Sequence, residues 1–121
     1  MAKILIIDDM PGVRRSISAV LKQQGHEIAE AENGKVGIQM VEKDSYDLII
    51  TDMLMPEEDG MSVINHLKDK RSRPSILAIS GGGANVNPNY ALNEAEKFVD
   101  QTLAKPFNKT QLMETVDQLV S

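Results

Sequence analysis

Two short runs of aliphatic residues stand out in the hydrophobic pattern, at Ile4 to Ile7 and at Leu48 to Ile50. Runs of this kind, without polar alternation, are typical of parallel strands that are covered on both faces. Three further strands are predicted at His26 to Glu30, Ser75 to Ser80 and Thr102 to Ala104. Because helical segments separate the strands, the pattern predicts an α/β fold, a doubly wound parallel sheet with helices on both faces.

Four amphipathic helices are predicted from apolar residues at helical spacing. Their apolar faces carry Val13, Ile17, Val20 and Leu21; Val36, Met40 and Val41; Met61, Ile64 and Leu67; and Leu112, Val116, Leu119 and Val120. The first helix is expected to close at Gly25, since glycine adopts the left-handed conformation that ends many helices. The second is expected to start near Asn33. Before the last helix, Asn108 and Gln111 have the spacing of a capping box.

The chain of 121 residues has the usual size of one domain, so residues 1–121 are expected to form a single folding unit. Hydrophobic residues make up 41% and charged residues 26%, which is typical of a globular domain with a real core. The aliphatic runs are too short to cross a bilayer, and the first residues lack the features of a signal peptide. We therefore expect a cytoplasmic protein without membrane insertion.

Composition excludes several classes of chemistry. The chain has no cysteine, which rules out disulfides, thiolate metal sites and cysteine nucleophiles. The net charge of −5 disfavours contact with a phosphate backbone, which requires clustered Lys and Arg. Tryptophan is absent, and the few Tyr and Phe residues offer no platform on which bases could stack. No direct binding of nucleic acid is expected.

Polar or charged residues follow four of the five predicted strands. Asp8 and Asp9 follow the first strand, Asp52 the third, Ser80 the fourth and Lys105 the fifth. The carboxyl ends of parallel strands meet at one edge of the sheet, where ligands bind. Two carboxylates about 4 Å apart repel each other by about 4 kcal/mol in a surface-like dielectric, so this edge requires a cation. Mg²⁺ fits, because it prefers oxygen ligands and is commonly held by one or two carboxylates.

Taken together, these strand-end residues resemble the receiver domains of bacterial response regulators, in particular single-domain proteins like the chemotaxis regulators. The matching stretches are residues 4–9 (ILIIDD), residues 52–60 (DMLMPEEDG), Ser80 and residues 105–107 (KPF). The four in this order are far more specific than any one alone. The resemblance implies a receiver domain over residues 1–121, with a flavodoxin-like, five-stranded parallel sheet in the order 2-1-3-4-5.

The resemblance also implies which residues bind metal and accept phosphate. Asp52 would be the nucleophile, its carboxylate attacking the phosphorus of a phosphohistidine to form an acyl phosphate. Asp9, Asp52 and the backbone carbonyl of Leu54 would bind Mg²⁺ directly, and Asp8 would act through water. The metal would offset charge on the transferred group, which is most of what phosphoryl transfer requires from a protein.

Two further residues would contact the transferred phosphoryl group. Lys105 would pair with one phosphoryl oxygen as a point charge, and Ser80 would donate a hydroxyl hydrogen bond to another. The Lys105–Pro106 peptide bond is commonly cis in this family, a feature that the sequence leaves open.

The function implied is that of a phosphorylated signalling protein rather than an enzyme. A sensor histidine kinase or a phosphotransfer protein would donate the phosphoryl group, and the resulting change of shape would alter contacts with a downstream target protein. Such a chain is expected to be a monomer or a weak dimer. A phosphorelay intermediate, which would pass the group to a second histidine protein, fits the same sequence equally well.

Three other functions fit the sequence less well. Phosphatases with an aspartyl nucleophile place their acids as Asp-x-Asp after the first strand, whereas this chain has Asp8-Asp9-Met10 and no cap segment. Flavin- and nucleotide-binding proteins of this topology need a phosphate cradle after the first strand, and Met10-Pro11-Gly12 offers none. A receiver-like docking module without phosphoryl chemistry would not need the intact acidic set.

The chain departs from the family pattern at two places. Thr102 stands where the family usually has an aromatic residue that moves when the domain switches. The glycine- and asparagine-rich run at residues 81–89 lengthens the stretch between Ser80 and Lys105. Glycine raises the backbone entropy of that loop. One interpretation is a flexible loop with no task, and the other is a surface that orders on phosphorylation.

Overall fold

The computed structural model describes residues 2–53, 60–67, 74–80 and 99–120. The elements along these residues are β1 (Lys3–Ile7), α1 (Pro11–Gln23), β2 (Glu27–Ala31), α2 (Gly34–Lys43), β3 (Leu48–Asp52), α3 (Gly60–Leu67), β4 (Ser75–Ser80), β5 (Gln101–Ala104) and α4 (Lys109–Val120). Every predicted strand and helix is present, with bounds that differ by one or a few residues.

The five strands form one parallel sheet in the order β2-β1-β3-β4-β5. The predicted fold class and strand order are therefore confirmed. The order reverses between β1 and β3, which pair directly, with Ile7 opposite Thr51. The residue after each of these two, Asp8 and Asp52, is thus carried to the same point of the carboxyl edge.

Two apolar clusters pack on opposite faces of the sheet. On one face, Ile4 and Ile6 of β1 pack with Ile17 and Leu21 of α1 and with residues of α4, including Val116. On the other face, Leu5 and Ile7 pack with Val63 and Leu67 of α3, and Val36 and Met40 of α2 pack against them. Because β1 and β3 are covered on both faces, their side chains are buried without alternation, as the aliphatic runs predicted.

The predicted caps fix the ends of three helices. Gly25 follows α1 at φ 91° and donates its N–H to the Lys22 carbonyl, while the His26 N–H reaches the Leu21 carbonyl, the two bonds of a Schellman motif. Asn33 accepts from the Val36 N–H at the start of α2. Before α4, the Asn108 and Gln111 side chains accept from each other's backbone N–H at 2.8 and 2.9 Å. The last arrangement is the predicted capping box.

At the amino edge of the sheet, two aspartates each form hydrogen bonds to the start of the neighbouring strand. Asp47 precedes β3, and its carboxylate accepts from the Lys3 N–H at 2.8 Å while its own N–H donates to the Lys3 carbonyl. Asp100 precedes β5 and makes the same pair of bonds with Ile76 of β4. Each aspartate therefore aligns the start of its strand with the strand beside it.

Among the described residues, no helix combines the length and the apolar character that a membrane span requires.

Candidate functional site

Three aspartates converge at the carboxyl edge of the sheet. Asp8 and Asp9 lie in the turn between β1 and α1, and Asp52 is the last residue of β3. One carboxylate oxygen from each of the three lies within 4.8 Å of the others. Asp8 and Asp52 are only 2% and 4% exposed, while Asp9 is half-buried. Three negative groups are thus held close together, and two of them are almost removed from water.

Lys105 supplies the cation on the protein side of this cluster. It follows β5, and its Nζ lies 3.2 Å from Asp8 Oδ2 and 3.2 Å from Asp52 Oδ2. Burial acts to lower the pKa of Lys105, but the charges and hydrogen bonds of Asp52 and Asp8 outweigh it, and the pKa is raised above its usual 10.5. The lysine is therefore a full positive charge at neutral pH. Within the described residues, one ammonium carries less charge than the three carboxylates together, so a divalent cation would bring the cluster closer to neutrality.

The backbone around Asp8 is held by further hydrogen bonds. Asp8 Oδ1 accepts from the Met10 N–H at 2.9 Å, which closes the turn into α1. The carbonyl of Asp8 accepts from Arg14 Nη1 at 2.6 Å, and Arg14 Nε donates to Glu30 Oε1 at 3.1 Å. Arg14 was not predicted from the sequence as a residue of this site. Its only signal there is a position in the first turns of α1, six residues after Asp8, which is equally typical of an ordinary solvated arginine.

The remaining predicted residues lie at the same edge or outside the described residues. Ser80 ends β4 opposite Ala104 of β5, so its backbone reaches the carboxyl edge. Leu54 and the run at residues 81–89 lie outside the described residues. The Lys105–Pro106 peptide bond, which the sequence left open, is cis. Thr102 pairs with Ala78 and is half-buried.

The oxygen-rich cluster fits a hard divalent cation. Carboxylates are the ligands that Mg²⁺ prefers, and the ion usually keeps several waters beside one or two of them. The half-buried Asp9 leaves one side of the cluster open to solvent. The donor set also argues against zinc, since structural and catalytic zinc sites draw mainly on His and Cys.

The chain is similar to known proteins over nearly its whole length. The family model described as the response regulator receiver domain matches residues 4–117. The transcriptional regulatory protein ResD of Bacillus subtilis is 31% identical over 118 residues, which are 98% of this chain and 48% of that protein. The chain spans about half the length of the curated relatives it matches.

Solved structures of receiver domains superpose closely on this fold. The response regulator protein TrrA from Thermotoga maritima, solved in complex with Mg²⁺-BeF, has a TM-score of 0.85 at 29% identity, and the match covers 98% of this chain and 99% of that one. A response regulator receiver domain protein from Clostridium thermocellum has a TM-score of 0.85 at 25% identity and covers 99% of this chain and 94% of its own.

Proposed function

Because the chain belongs to the response regulator receiver domain family, we propose that it is a phosphoacceptor signalling protein that takes a phosphoryl group onto Asp52. The observation that carries the proposal is the setting of the Asp52 carboxylate. It is almost buried, ends a central strand beside Asp8, and lies 3.2 Å from the Lys105 ammonium. A carboxylate held against a fixed cation, with an adjacent site for a second cation, is suited to transfer of a highly charged group.

The covalent step exchanges one bond to phosphorus for another. A carboxylate oxygen of Asp52 attacks the phosphorus of a phosphohistidine, the P–O bond of an acyl phosphate forms, and the P–N bond breaks with its electron pair going to the histidine nitrogen. Lys105 would then turn from the carboxylates of Asp8 and Asp52 toward an oxygen of the bound phosphoryl group. Ser80, at the end of β4, would donate its hydroxyl to another such oxygen.

The Mg²⁺ that this chemistry requires would be held by Asp9, Asp52 and the Leu54 carbonyl, with Asp8 acting through water. When bound, Mg²⁺ offsets the negative charge of the transferring group. The closely similar TrrA was solved in complex with Mg²⁺-BeF, which supports a site of this kind here. Lys105 and the Met10 N–H hold the Asp8 and Asp52 carboxylates in place, so that little rearrangement is needed.

The partners follow from the chemistry. The donor is a sensor histidine kinase or a phosphotransfer protein, and the phosphorylated chain changes its contacts with a downstream target protein. We propose no substrate turnover, because the phosphoryl group is the signal and the chain itself is its carrier.

Intact mass after incubation with acetyl phosphate and Mg²⁺ tests the proposal. The expected result is a single phosphoryl adduct that depends on Mg²⁺ and is lost in Asp52→Asn, which keeps the shape of the side chain but removes the nucleophile. No adduct on the folded wild-type protein, or an adduct that persists in Asp52→Asn, would overturn the assignment.

Asp47→Asn is the matched control. Asp47 precedes the same strand at its opposite end, and an asparagine oxygen can still accept the hydrogen bond from Lys3. This variant is expected to form the adduct as the wild type does, so a loss in Asp52→Asn alone would trace the phosphoryl group to the carboxyl edge.

A further inference from the structure

Arg14 links three parts of the molecule through one guanidinium group. Its Nη1 donates to the Asp8 carbonyl at 2.6 Å and its Nε donates to Glu30 Oε1 at 3.1 Å, while its own backbone belongs to α1. The Arg14 side chain is only 14% exposed. Both of these bonds involve a charged donor, and such bonds are shorter and stronger than bonds between neutral groups.

The Asp8 carbonyl belongs to the peptide that joins Asp8 to Asp9. Because that peptide is planar, fixing its carbonyl also fixes the N–H of Asp9. It thereby restricts the direction in which the Asp9 side chain extends from the backbone. The Asp8 side chain has direct support from Lys105 and from the Met10 N–H. Within the described residues, no donor of this kind contacts the Asp9 carboxylate. The orientation of the Asp9 side chain therefore depends on its backbone.

Glu30 determines how Arg14 reaches that peptide. It lies on β2 and accepts from Nε, so the guanidinium plane is held between the edge strand and the turn after β1. Pairing with Glu30 also offsets the charge of Arg14, whereas Lys105 is in direct contact with Asp8 and Asp52. The two cations thus differ in what they contact: Lys105 offsets the charge of the Asp8 and Asp52 carboxylates, and Arg14 holds the Asp8 carbonyl in place.

We propose that Arg14 is a positioning residue for the metal site, acting through the Asp8–Asp9 peptide to hold Asp9 in place for Mg²⁺. This inference rests on the proposed function, since it needs Asp9 to be a metal ligand. Groups that orient a metal ligand without touching the metal commonly change metal affinity by about 10- to 100-fold when they are removed.

Calorimetric titration with Mg²⁺ tests the proposal on the folded, unphosphorylated chain. Arg14→Met is expected to weaken Mg²⁺ binding by about 10-fold, at the lower end of that range because the contact is to the backbone. Arg14→Lys keeps the charge and one donor, and is expected to fall between the wild type and Arg14→Met. Glu30→Gln keeps an acceptor for Nε but loses the charge that pairs with Arg14, and is expected to weaken Mg²⁺ binding less than Arg14→Met does.

Arg15→Met is the matched control, since Arg15 is the next residue of α1 and is exposed. It removes the same formal charge and leaves the bond to Asp8 intact, so its Mg²⁺ affinity is expected to be unchanged. If Arg14→Met and Arg15→Met bind Mg²⁺ within about twofold of each other, the positioning role is wrong. If Arg14→Met does not fold, the same comparison is made with Arg14→Lys, and equal affinity overturns the proposal.

A second measurement separates positioning from a merely structural role. Phosphorylation by acetyl phosphate is expected to be slower in Arg14→Met at limiting Mg²⁺ but close to the wild-type rate at saturating Mg²⁺. A rate that stays low at saturating metal would contradict the inference. Failure of the wild-type chain to bind Mg²⁺ at all would instead overturn the proposed function, and this inference with it.

Discussion

At the scale of single residues, Lys105 contacts carboxylates that the proposed Mg²⁺ would also contact. The ammonium lies 3.2 Å from both Asp8 and Asp52, and those two groups raise its pKa despite burial. Its contribution to stability is therefore fully present below the usual lysine value of 10.5, and it is lost only as pH rises through the raised pKa of the folded state. At neutral pH the lysine already compensates part of the charge that the metal would compensate.

Replacing Lys105 with methionine should lower stability without metal and increase the response to metal. We expect Lys105→Met to lose about 1.5–3 kcal/mol in the free energy of unfolding, because two almost buried carboxylates lose a charged hydrogen-bond donor. Saturating Mg²⁺ should recover more stability in this variant than in the wild type, since no ammonium then shares the same carboxylates with the metal. Urea unfolding with EDTA and with Mg²⁺ measures both effects.

The control for this prediction is Lys109→Met, at the exposed first residue of α4. It removes a lysine of equal charge from outside the cluster and should leave the gain from Mg²⁺ unchanged. Equal gains in Lys105→Met and in the wild type would mean that the ammonium and the metal do not share the carboxylates.

The acidic residues and Lys105 were predictable from sequence because each lies at, or within two residues of, the end of a predicted strand. Parallel topology then brings strand ends together, whatever the loops do. Arg14 was not predictable in the same way. Its bond to the Asp8 carbonyl depends on where α1 starts and on Glu30 of β2, which are tertiary facts. Likewise, nothing in the sequence marks the His26 ring as the acceptor for the Ala2 N–H.

At the scale of elements, the caps show which features a sequence specifies locally. Gly25, Asn33 and the Asn108–Gln111 pair each act within a few residues, so spacing alone sufficed to predict them. The approach of one element to another is different, since it depends on residues far apart in the chain. Gly37 of α2, which lies directly over Ile7 of β1, belongs to this second class.

Adding a methyl group at Gly37 should push α2 away from the sheet. A Cβ atom there would lie 2.4 Å from Ile7 Cδ1 and 2.9 Å from Ile7 Cγ1, and neither position is compatible with normal packing. We expect Gly37→Ala to cost about 1–3 kcal/mol in the free energy of unfolding, even though alanine is the better helix former. Chemical denaturation of the purified variant measures this cost.

Gly12→Ala provides the comparison within α1, because a Cβ at Gly12 would meet no atom within 4 Å. That variant is expected to be neutral or slightly stabilising. Combining Gly37→Ala with Ile7→Val, which removes the nearest methyl, should recover part of the loss. A stable Gly37→Ala single variant would show that α2 or the Ile7 side chain can shift without cost.

At the scale of the whole molecule, the two edges of the sheet have different tasks. The carboxyl edge holds Asp8, Asp9, Asp52 and Lys105, an arrangement of like charges that a stability argument alone would not favour. At the amino edge, the carboxylates of Asp47 and Asp100 accept hydrogen bonds from backbone N–H groups of the neighbouring strands. Hydrogen bonds at the amino edge can therefore stabilise the fold and offset the electrostatic cost of the site at the carboxyl edge. This holds provided that a change at one edge does not alter the energetics of the other.

That independence gives a prediction for a double-mutant cycle. Asp100 and Lys105 lie at opposite ends of β5, five residues apart, which is about 16 Å along an extended strand. Asp100→Ala removes a charged acceptor from the Ile76 N–H and should cost about 1.5 kcal/mol. Because the two side chains lie far apart along the strand, its effect and that of Lys105→Met should add to within about 0.5 kcal/mol.

A cycle within the carboxyl edge supplies the contrast. Lys105→Met and Asp8→Asn remove the two partners of one contact, so their effects should fail to add by clearly more than that margin. Asp100→Ala should also leave phosphorylation of Asp52 by acetyl phosphate close to the wild-type rate. Two results would contradict this independence: strong coupling between Asp100 and Lys105, or slow phosphorylation in a fully folded Asp100→Ala variant. Either would mean that a change at the amino edge alters the site at the carboxyl edge through β5.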